Sequence, residues 1–324
     1  MATIKLIAYV ALQQFCEHDD TPRRLLDDAG FEVRLNTLGR RLTAEDLRRV
    51  LPDVDGVLAG VEPYDAALLA TLPRLRCISR CGLGTDTIDL DAARRQSITV
   101  CTTVEEVVEP VAEMTVAMIL ALARQFVVHH DTARAGQWIK RTGAMLREWR
   151  IGLIGFGRIG RTVERMLRPF QPTMLVHDPA LQPSDLPGGV AWRPLDALLQ
   201  EADLVSLHAS RSSSDGPLLG AAQFARMKPG ARVVNTARGY LIDESALHDA
   251  LTSKRLSGAA LDVFEREPYT GPLAQLPNVL CTPHVSSLTV SSRTAMERGC
   301  AQNLIDCFRR NAAPRLAGAA GARP

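Results

Sequence analysis

Four short segments, in order along one chain, carry residues whose types and spacing can do chemistry together. IGLIGFGRIGR begins at Ile151, NTARG ends at Gly239, LDVFEREP begins at Leu261 and TPH ends at His284. The first is spaced as a dinucleotide cradle, and the others supply Arg238, Glu267 and His284. Reducing a 2-oxo acid requires a cation for the carboxylate and carbonyl, a proton donor for the developing alkoxide, and a hydride above the carbonyl carbon. A guanidinium is permanently charged and presents a planar fork to a carboxylate. An imidazole gives or takes a proton near neutral pH. A carboxylate hydrogen-bonded to that imidazole would fix the ring and favour its protonated form. Taken singly, an Arg or Glu is a solvated surface charge and a His beside Pro283 is a loop residue. Together they imply hydride transfer coupled to proton transfer.

A lone GxGxxG arises by chance in many chains, so its context carries the argument. Gly155, Gly157 and Gly160 close the apolar run from Ile151 to Ile154 and open a helical pattern from Arg158 to Leu167. The first glycine permits the tight turn, the second lets the backbone approach a pyrophosphate, and the third lets helix and strand pack closely. The amides of Arg158 and Ile159 would then face phosphate from a helix N-terminus. About twenty residues on, MLVHDP places Asp178 at the end of the next strand, where a carboxylate accepts from ribose hydroxyls and repels a 2′-phosphate. Pro179, Ala180 and Leu181 supply no arginine to reverse that preference, so NAD is expected rather than NADP. The blander reading of Asp178 is a turn cap before Pro179. His177 beside it reads as an exposed neighbour.

Positioning these groups requires a repeated scaffold, and the chain has one. KLIAYV, FEVRL, GVLAG and RCISR alternate with helical patterns, as do RIGLIG, TMLVH, DLVSLH, ARVVNT and LSGAALDV further on. Such alternation predicts parallel sheets covered by helices. The expected fold class is α/β with two doubly wound lobes: a Rossmann-type cofactor domain over residues 103–284, and a discontinuous flavodoxin-like domain from residues 1–102 and 285–324. A helical stretch from Glu109 to Gln125, with Val111, Met114, Thr115, Met118 and Leu122 on one face, reads as a bridge. A final helix from about Ser291 to Arg310 offers Ala295, Cys300 and Leu304 to the first lobe. The ending APRLAGAAGARP has little to bury and reads as a frayed tail.

Composition excludes several classes. At 324 residues the chain has room for two domains, and 46% hydrophobic against 23% charged residues suits an ordinary globular protein. Lys+Arg 38 against Asp+Glu 36 leaves +2, with no basic stripe for nucleic acid. The seven cysteines form neither CxxC pairs nor an even framework, so no metal site and no structural disulfide is expected, and reduced thiols imply the cytoplasm. The opening run contains Lys5 and reads as a first strand rather than a signal peptide. The best apolar stretch, Val111 to Ala123, is too short to span a membrane and carries Glu113.

With these residues in place, the chain resembles the D-isomer-specific 2-hydroxyacid dehydrogenases. The likeness runs through SRCGLGTDTIDL, VVEPVAEMTVAMILALAR, GLIGFGRIGR, MKPGARVVNTARGYLIDESAL, SGAALDVFEREP and NVLCTPHVSS, nearly the whole length. It implies an NAD-dependent enzyme interconverting a small D-2-hydroxy acid and its 2-oxo acid, of the glyoxylate/hydroxypyruvate reductase or phosphoglycerate dehydrogenase type. It further implies two lobes enclosing a cleft, a homodimer, and a catalytic set of Arg238, Glu267 and His284. The same carry-over gives Gly82, Leu83 and Gly84 as a loop whose amides hold the substrate carboxylate, where the blander reading is a tight turn. Asp262 resembles the carboxylate beside the nicotinamide, and His208 and Thr236 fall at cofactor-side positions. Formate dehydrogenases are similar but carry glutamine where this chain has Glu267. Phosphonate dehydrogenases share the triad and give a second reading, and NAD(H)-sensing corepressors of the same fold give a third.

The chain departs from the family pattern in places. After DLVSLH it continues ASRSSSDGPLLG, in which Arg211 would add positive charge for an acidic substrate. Ser286 and Ser287 stand where a Gly-Gly pair is frequent, and Thr87 where Asn is common. The loop LAGVEPYD has Glu62 and no arginine, which speaks against a phosphate-bearing substrate. Control through a regulatory domain after the last helix is not expected.

Overall fold

The computed structural model describes residues 5–210 and 216–312. Arg211 and the tail APRLAGAAGARP lie outside the described residues. The chain divides into two compact units, one of residues 1–107 with 289–324 and one of residues 108–288.

The first unit is built from β1 (Ile7–Val10), α1 (Thr21–Asp28), β2 (Glu32–Leu35), α2 (Ala44–Val50), β3 (Gly56–Ala59), α3 (Ala66–Leu69), β4 (Cys77–Arg80), α4 (Leu90–Arg95) and β5 (Thr99–Thr102). Its strands are all parallel in the order β2-β1-β3-β4-β5, the doubly wound order of flavodoxin-like folds. Helix starts follow from short polar residues: Thr43 and Asp46 form a reciprocal capping box, and Asp65 and Asp89 accept from the third helical amide. The central strands β1 and β3 are buried along their whole length, as expected where helices cover both faces of a sheet.

The second unit starts with α5 (Val108–Ala123) and α6 (Phe126–Arg134). It continues through β6 (Arg150–Ile154), α7 (Arg158–Leu167), β7 (Thr173–His177), β8 (Val190–Trp192), α8 (Leu195–Glu201), β9 (Leu204–Leu207), α9 (Ala221–Arg226), β10 (Ala231–Asn235), α10 (Glu244–Thr252), β11 (Leu256–Leu261) and β12 (Val279–Cys281). Among the described residues its strands form one parallel sheet, ordered β12-β11-β10-β9-β6-β7-β8. Both expected doubly wound sheets are therefore present. Helix α5 buries Val111, Thr115 and Met118 as its periodicity predicts, and also Ala112 and Ile119, so its apolar face is wider than one stripe.

The last helix, α11 (Val290–Ala312), packs against α1, β3, β4 and β5 of the first unit. Cys300 and Leu304 are fully buried there, whereas Ala295 is only half-buried and Met296 takes the core position beside it. Phe308 completes the seam edge-on to Phe31 at 5.4 Å, with the Arg76 guanidinium 4.5 Å above its ring. No single helix among the described residues is long and apolar enough to cross a membrane.

Candidate active site

Apart from Glu267, which lies six residues past the end of β11, the candidate groups of the second unit lie just beyond the C-terminal ends of parallel strands. The glycine turn follows β6, Asp178 follows β7 and His208 follows β9; Thr236 and Arg238 follow β10, Asp262 follows β11 and His284 follows β12. The chain runs outward in opposite directions from the β9/β6 junction, so a crevice at the strand ends opens there.

The glycines differ in what they require. Gly155 has φ +92, and a Cβ on it would lie 2.6 Å from the His208 carbonyl carbon and the Ala209 nitrogen. A Cβ on Gly160 would lie 2.4 Å from the Gly155 carbonyl oxygen, so helix and turn could not close. Gly157 is different, since a Cβ there would meet no protein atom within 4 Å. Nothing inside the protein demands a glycine at that position, whereas a pyrophosphate resting on the backbone does. No side chain caps α7 at Gly157, which leaves its N-terminal turn, with Arg158 and Ile159, facing outward for an anion. These residues fit a dinucleotide.

Asp178 makes the turn cap expected of its blander reading and also braces the glycine turn. One oxygen accepts from the Phe156 amide inside the glycine turn at 2.8 Å, and the other accepts from Ala180 at 2.9 Å as a turn cap. His177 is half-buried rather than exposed, because its Nδ1 lies 3.1 Å from the Arg193 carbonyl on the neighbouring chain segment. Burial lowers the His208 pKa to about 4, and the neutral ring bonds the Ser206 hydroxyl at 2.9 Å. The Thr236 hydroxyl is 2.8 Å from that of Thr115, which in turn donates to Val111 of α5.

On the other half of the crevice two of the catalytic candidates meet. His284 Nδ1 is 2.8 Å from Glu267 Oε2, and Glu267 Oε1 accepts from the Phe264 amide at 3.1 Å. The Glu267–Pro268 peptide is cis. Both side chains keep a solvent-facing edge. His284 has φ +56, in the left-handed region, and its amide donates to the Asp262 carbonyl at 2.8 Å. Asp262 is fully buried and binds four donors of that turn: Thr282 Oγ1 at 2.5 Å, Val285 N at 2.9 Å, Ser286 N at 2.9 Å and Ser286 Oγ at 2.5 Å. This carboxylate therefore sets the turn that presents His284. Arg238 is held by the Asn235 side chain, which accepts from Ala237 N and donates to the Arg238 carbonyl. Arg238 Nη1 donates to the Ala237 carbonyl at 2.7 Å.

In the first unit, Gly82 has φ +132 and its amide is already engaged, donating to Thr103 Oγ1 at 2.7 Å. The expected loop donors are thereby reduced to the amides of Leu83 and Gly84, which have no acceptor among the described residues. Glu62 is buried, accepts from the Gly60 amide at 2.7 Å, and burial raises its pKa. Its loop carries no arginine of its own, but Arg41 donates to the Val61 carbonyl, so a guanidinium does reach it.

Sequence reasoning singled out neither Thr282 nor Ser206, and it read Ser286 only as a departure. The polar residues flanking the proline and histidine of TPHVSS were the available signal, since short hydroxyl side chains beside a turn bond local backbone or carboxylate groups.

Comparison with known proteins agrees in extent and kind. The sequence family described as D-isomer specific 2-hydroxyacid dehydrogenase, NAD binding domain, matches residues 116–286. A hydroxypyruvate reductase of Thermotoga maritima is 34% identical over 80% of this chain and 86% of its own length. A glyoxylate/hydroxypyruvate reductase B of Klebsiella pneumoniae is 35% identical over 90% of this chain and 93% of its own. Among solved structures, a D-lactate dehydrogenase of Aquifex aeolicus complexed with NAD and lactic acid superposes with a TM-score of 0.82 at 26% identity, covering 94% of this chain and 96% of that one.

Proposed function

The chain belongs to the D-isomer specific 2-hydroxyacid dehydrogenase family, and from that premise we propose that it reduces glyoxylate or hydroxypyruvate, with Arg238, Glu267 and His284 as its catalytic residues. It is an NAD-dependent oxidoreductase acting between a 2-hydroxy acid and its 2-oxo acid. The observation that carries the reading is the 2.8 Å Glu267–His284 pair, mounted on a turn that Asp262 fastens by four hydrogen bonds.

Bound NADH supplies the hydride. Arg238 holds the substrate carboxylate and polarises the carbonyl, because its guanidinium keeps its charge at any working pH. His284, with its second ring nitrogen turned away from Glu267, delivers the proton to the carbonyl oxygen, and in the reverse direction removes it. Glu267 fixes that orientation and compensates the imidazolium charge. Asp178, Gly155, Gly157, Gly160 and the amides of Arg158 and Ile159 hold the dinucleotide; Thr236 and His208 shape the floor beneath it. The amides of Leu83 and Gly84 are carboxylate donors from the first unit. Asp178 and the lack of arginine after it support NAD over NADP.

The same reading places the enzyme in the cytoplasm as a homodimer without nucleic-acid or membrane partners. Exposed apolar side chains at Phe126, Trp138, Ile139 and Met145, within a segment whose helix α6 buries nothing, support self-association. A dimeric mass in light scattering is the expected result.

The test is NADH oxidation against glyoxylate, hydroxypyruvate, pyruvate and 3-phosphohydroxypyruvate, with NADPH in parallel. Turnover of glyoxylate or hydroxypyruvate, at least ten times faster with NADH than with NADPH, is expected. Preference for the phosphorylated acid would reassign the substrate and give Arg41 a role in it.

A further inference from the structure

Strand β4 ends in a turn whose polar groups can be accounted for one by one. Its root is tied to α11: Ser79 Oγ donates to the Cys300 carbonyl at 2.7 Å, and Cys300 Sγ donates to the Ser79 carbonyl at 3.0 Å. Strand register pairs Arg80 with Thr102, which sets Thr103 beside the turn. Thr103 then takes both polar groups of Gly82. Its hydroxyl accepts from the Gly82 amide at 2.7 Å, and its amide donates to the Gly82 carbonyl at 3.2 Å. The Arg80 side chain folds back under the same turn, where Nη1 donates to the Cys81 carbonyl and Nε donates to the Gly84 carbonyl at 3.1 Å. The guanidinium fills the space that a side chain at position 82 would need, since a Cβ on Gly82 would lie 2.7 Å from Nη1.

This bonding replaces the usual closure of a four-residue turn. Ordinarily the first carbonyl accepts from the fourth amide, which here would join Cys81 to Gly84. Arg80 supplies the donor instead, so the Gly84 amide is released. A trans peptide points its carbonyl and the following amide in opposite directions. The Leu83 amide therefore faces away from Thr103, which holds the Gly82 carbonyl. Two successive amides are left outside the turn's own bonding, and neither has an acceptor among the described residues. Successive amides of this kind form a concavity for an anion.

We propose that Arg80 and Thr103 are positioning residues for the substrate carboxylate, holding the carbonyls of Cys81, Gly82 and Gly84 so that the amides of Leu83 and Gly84 face the acid. A guanidinium beside such a loop reads as a second clamp on the acid, yet Arg80 bonds the loop's own backbone at both ends of the turn. Thr103, only 2% exposed, acts through Gly82. The assignment rests on the reading of this turn as the carboxylate-binding loop of a 2-oxo acid reductase.

The experiment pairs steady-state kinetics with hydrogen exchange, read by mass spectrometry on the whole protein, using oxamate as an unreactive 2-oxo acid analogue with NADH present. Oxamate should slow exchange at the amides of Leu83 and Gly84. Arg80→Met removes every donor of the guanidinium. It should abolish that protection and raise KM for glyoxylate about tenfold or more, with kcat and NADH affinity within about twofold. Thr103→Val should do the same, and Thr103→Ser should restore the parent behaviour. Because both residues act on one turn, the double variant should raise KM little beyond either single one. Effects that multiply would show that Arg80 meets the carboxylate directly and would overturn the positioning role, as would an unchanged KM in Arg80→Met. Arg80→Lys keeps one donor, gives an intermediate KM, and serves if Arg80→Met fails to fold. If the parent turns over neither glyoxylate nor hydroxypyruvate while oxamate protects the turn, the proposed substrates fail; loss of the protection in Arg80→Met still decides the positioning role. No protection of the turn in the parent overturns the site whatever the turnover.

Discussion

Gly239 sits against the backbone of Phe264 so closely that a Cβ on it would lie 1.9 Å from the Phe264 carbonyl carbon. The contact clamps the loop carrying Arg238 onto the loop carrying Glu267. Gly239→Ala must therefore push the two loops apart, at a cost of about 1–3 kcal/mol. A lowered melting temperature together with a large fall in kcat is expected; unchanged values of both would show that the clamp has no part in assembling the site.

Gly157 and Gly160 should respond differently to the same change. Gly157→Ala adds a methyl group that meets no protein atom, so thermal stability is retained while the NADH dissociation constant rises about tenfold or more. Gly160→Ala meets the Gly155 carbonyl and lowers stability as well. Calorimetric titration with NADH beside thermal melts separates the two.

His284→Ala should lower kcat by about 10²–10⁴-fold while leaving NADH affinity within about twofold. Stopped-flow measurement of the hydride step, with equilibrium NADH binding, checks both halves. Loss of cofactor binding in this variant would move His284 from proton transfer to cofactor support.

Asp262→Asn keeps the shape of the side chain but turns one acceptor oxygen into a donor facing Ser286 or Val285. The misfit costs about 1–3 kcal/mol and loosens the His284 turn, so kcat falls with stability. Thermal melts beside steady-state kinetics check both halves, and unchanged values of both would show that the His284 turn does not depend on this carboxylate.

Much of this was legible in the chain. The glycine turn, Asp178, Arg238, Glu267 and His284 each stand at the end of a hydrophobic run, and strand ends are where parallel sheets expose such groups. Less legible was anything set by tertiary partners. Helix α6 left no trace in the pattern because it buries no residue and so has no apolar stripe. The engagement of the Gly82 amide depends on Thr103, and the four donors of Asp262 come from a turn some twenty residues away. Ser286 looked like drift from a glycine pair, yet its hydroxyl is one of those donors.

The half-buried His208 ring, desolvated where it sits, links stability to pH. Its pKa is about 4 in the fold against 6.5 for a free imidazole, so between those values the unfolded chain binds more protons than the folded one. Stability therefore rises with pH across that window and is lost on acidification, by up to about 3 kcal/mol from this group alone. Urea unfolding at pH 7 and pH 4.5 should show a smaller acid-induced loss in His208→Asn than in the parent; equal losses would place the sensitivity elsewhere.

The Ser79–Cys300 bond joins residues 221 positions apart, across the entire second unit. On a ribosome, β1 through β5 therefore emerge long before the helix that covers them, and their apolar flank waits while residues 108–288 are made. The second unit, continuous in sequence, can finish folding on its own schedule, whereas the first must be held open until α11 arrives. Nascent-chain lengths that stop short of α11 are thus the ones on which a chaperone has an exposed sheet to grip.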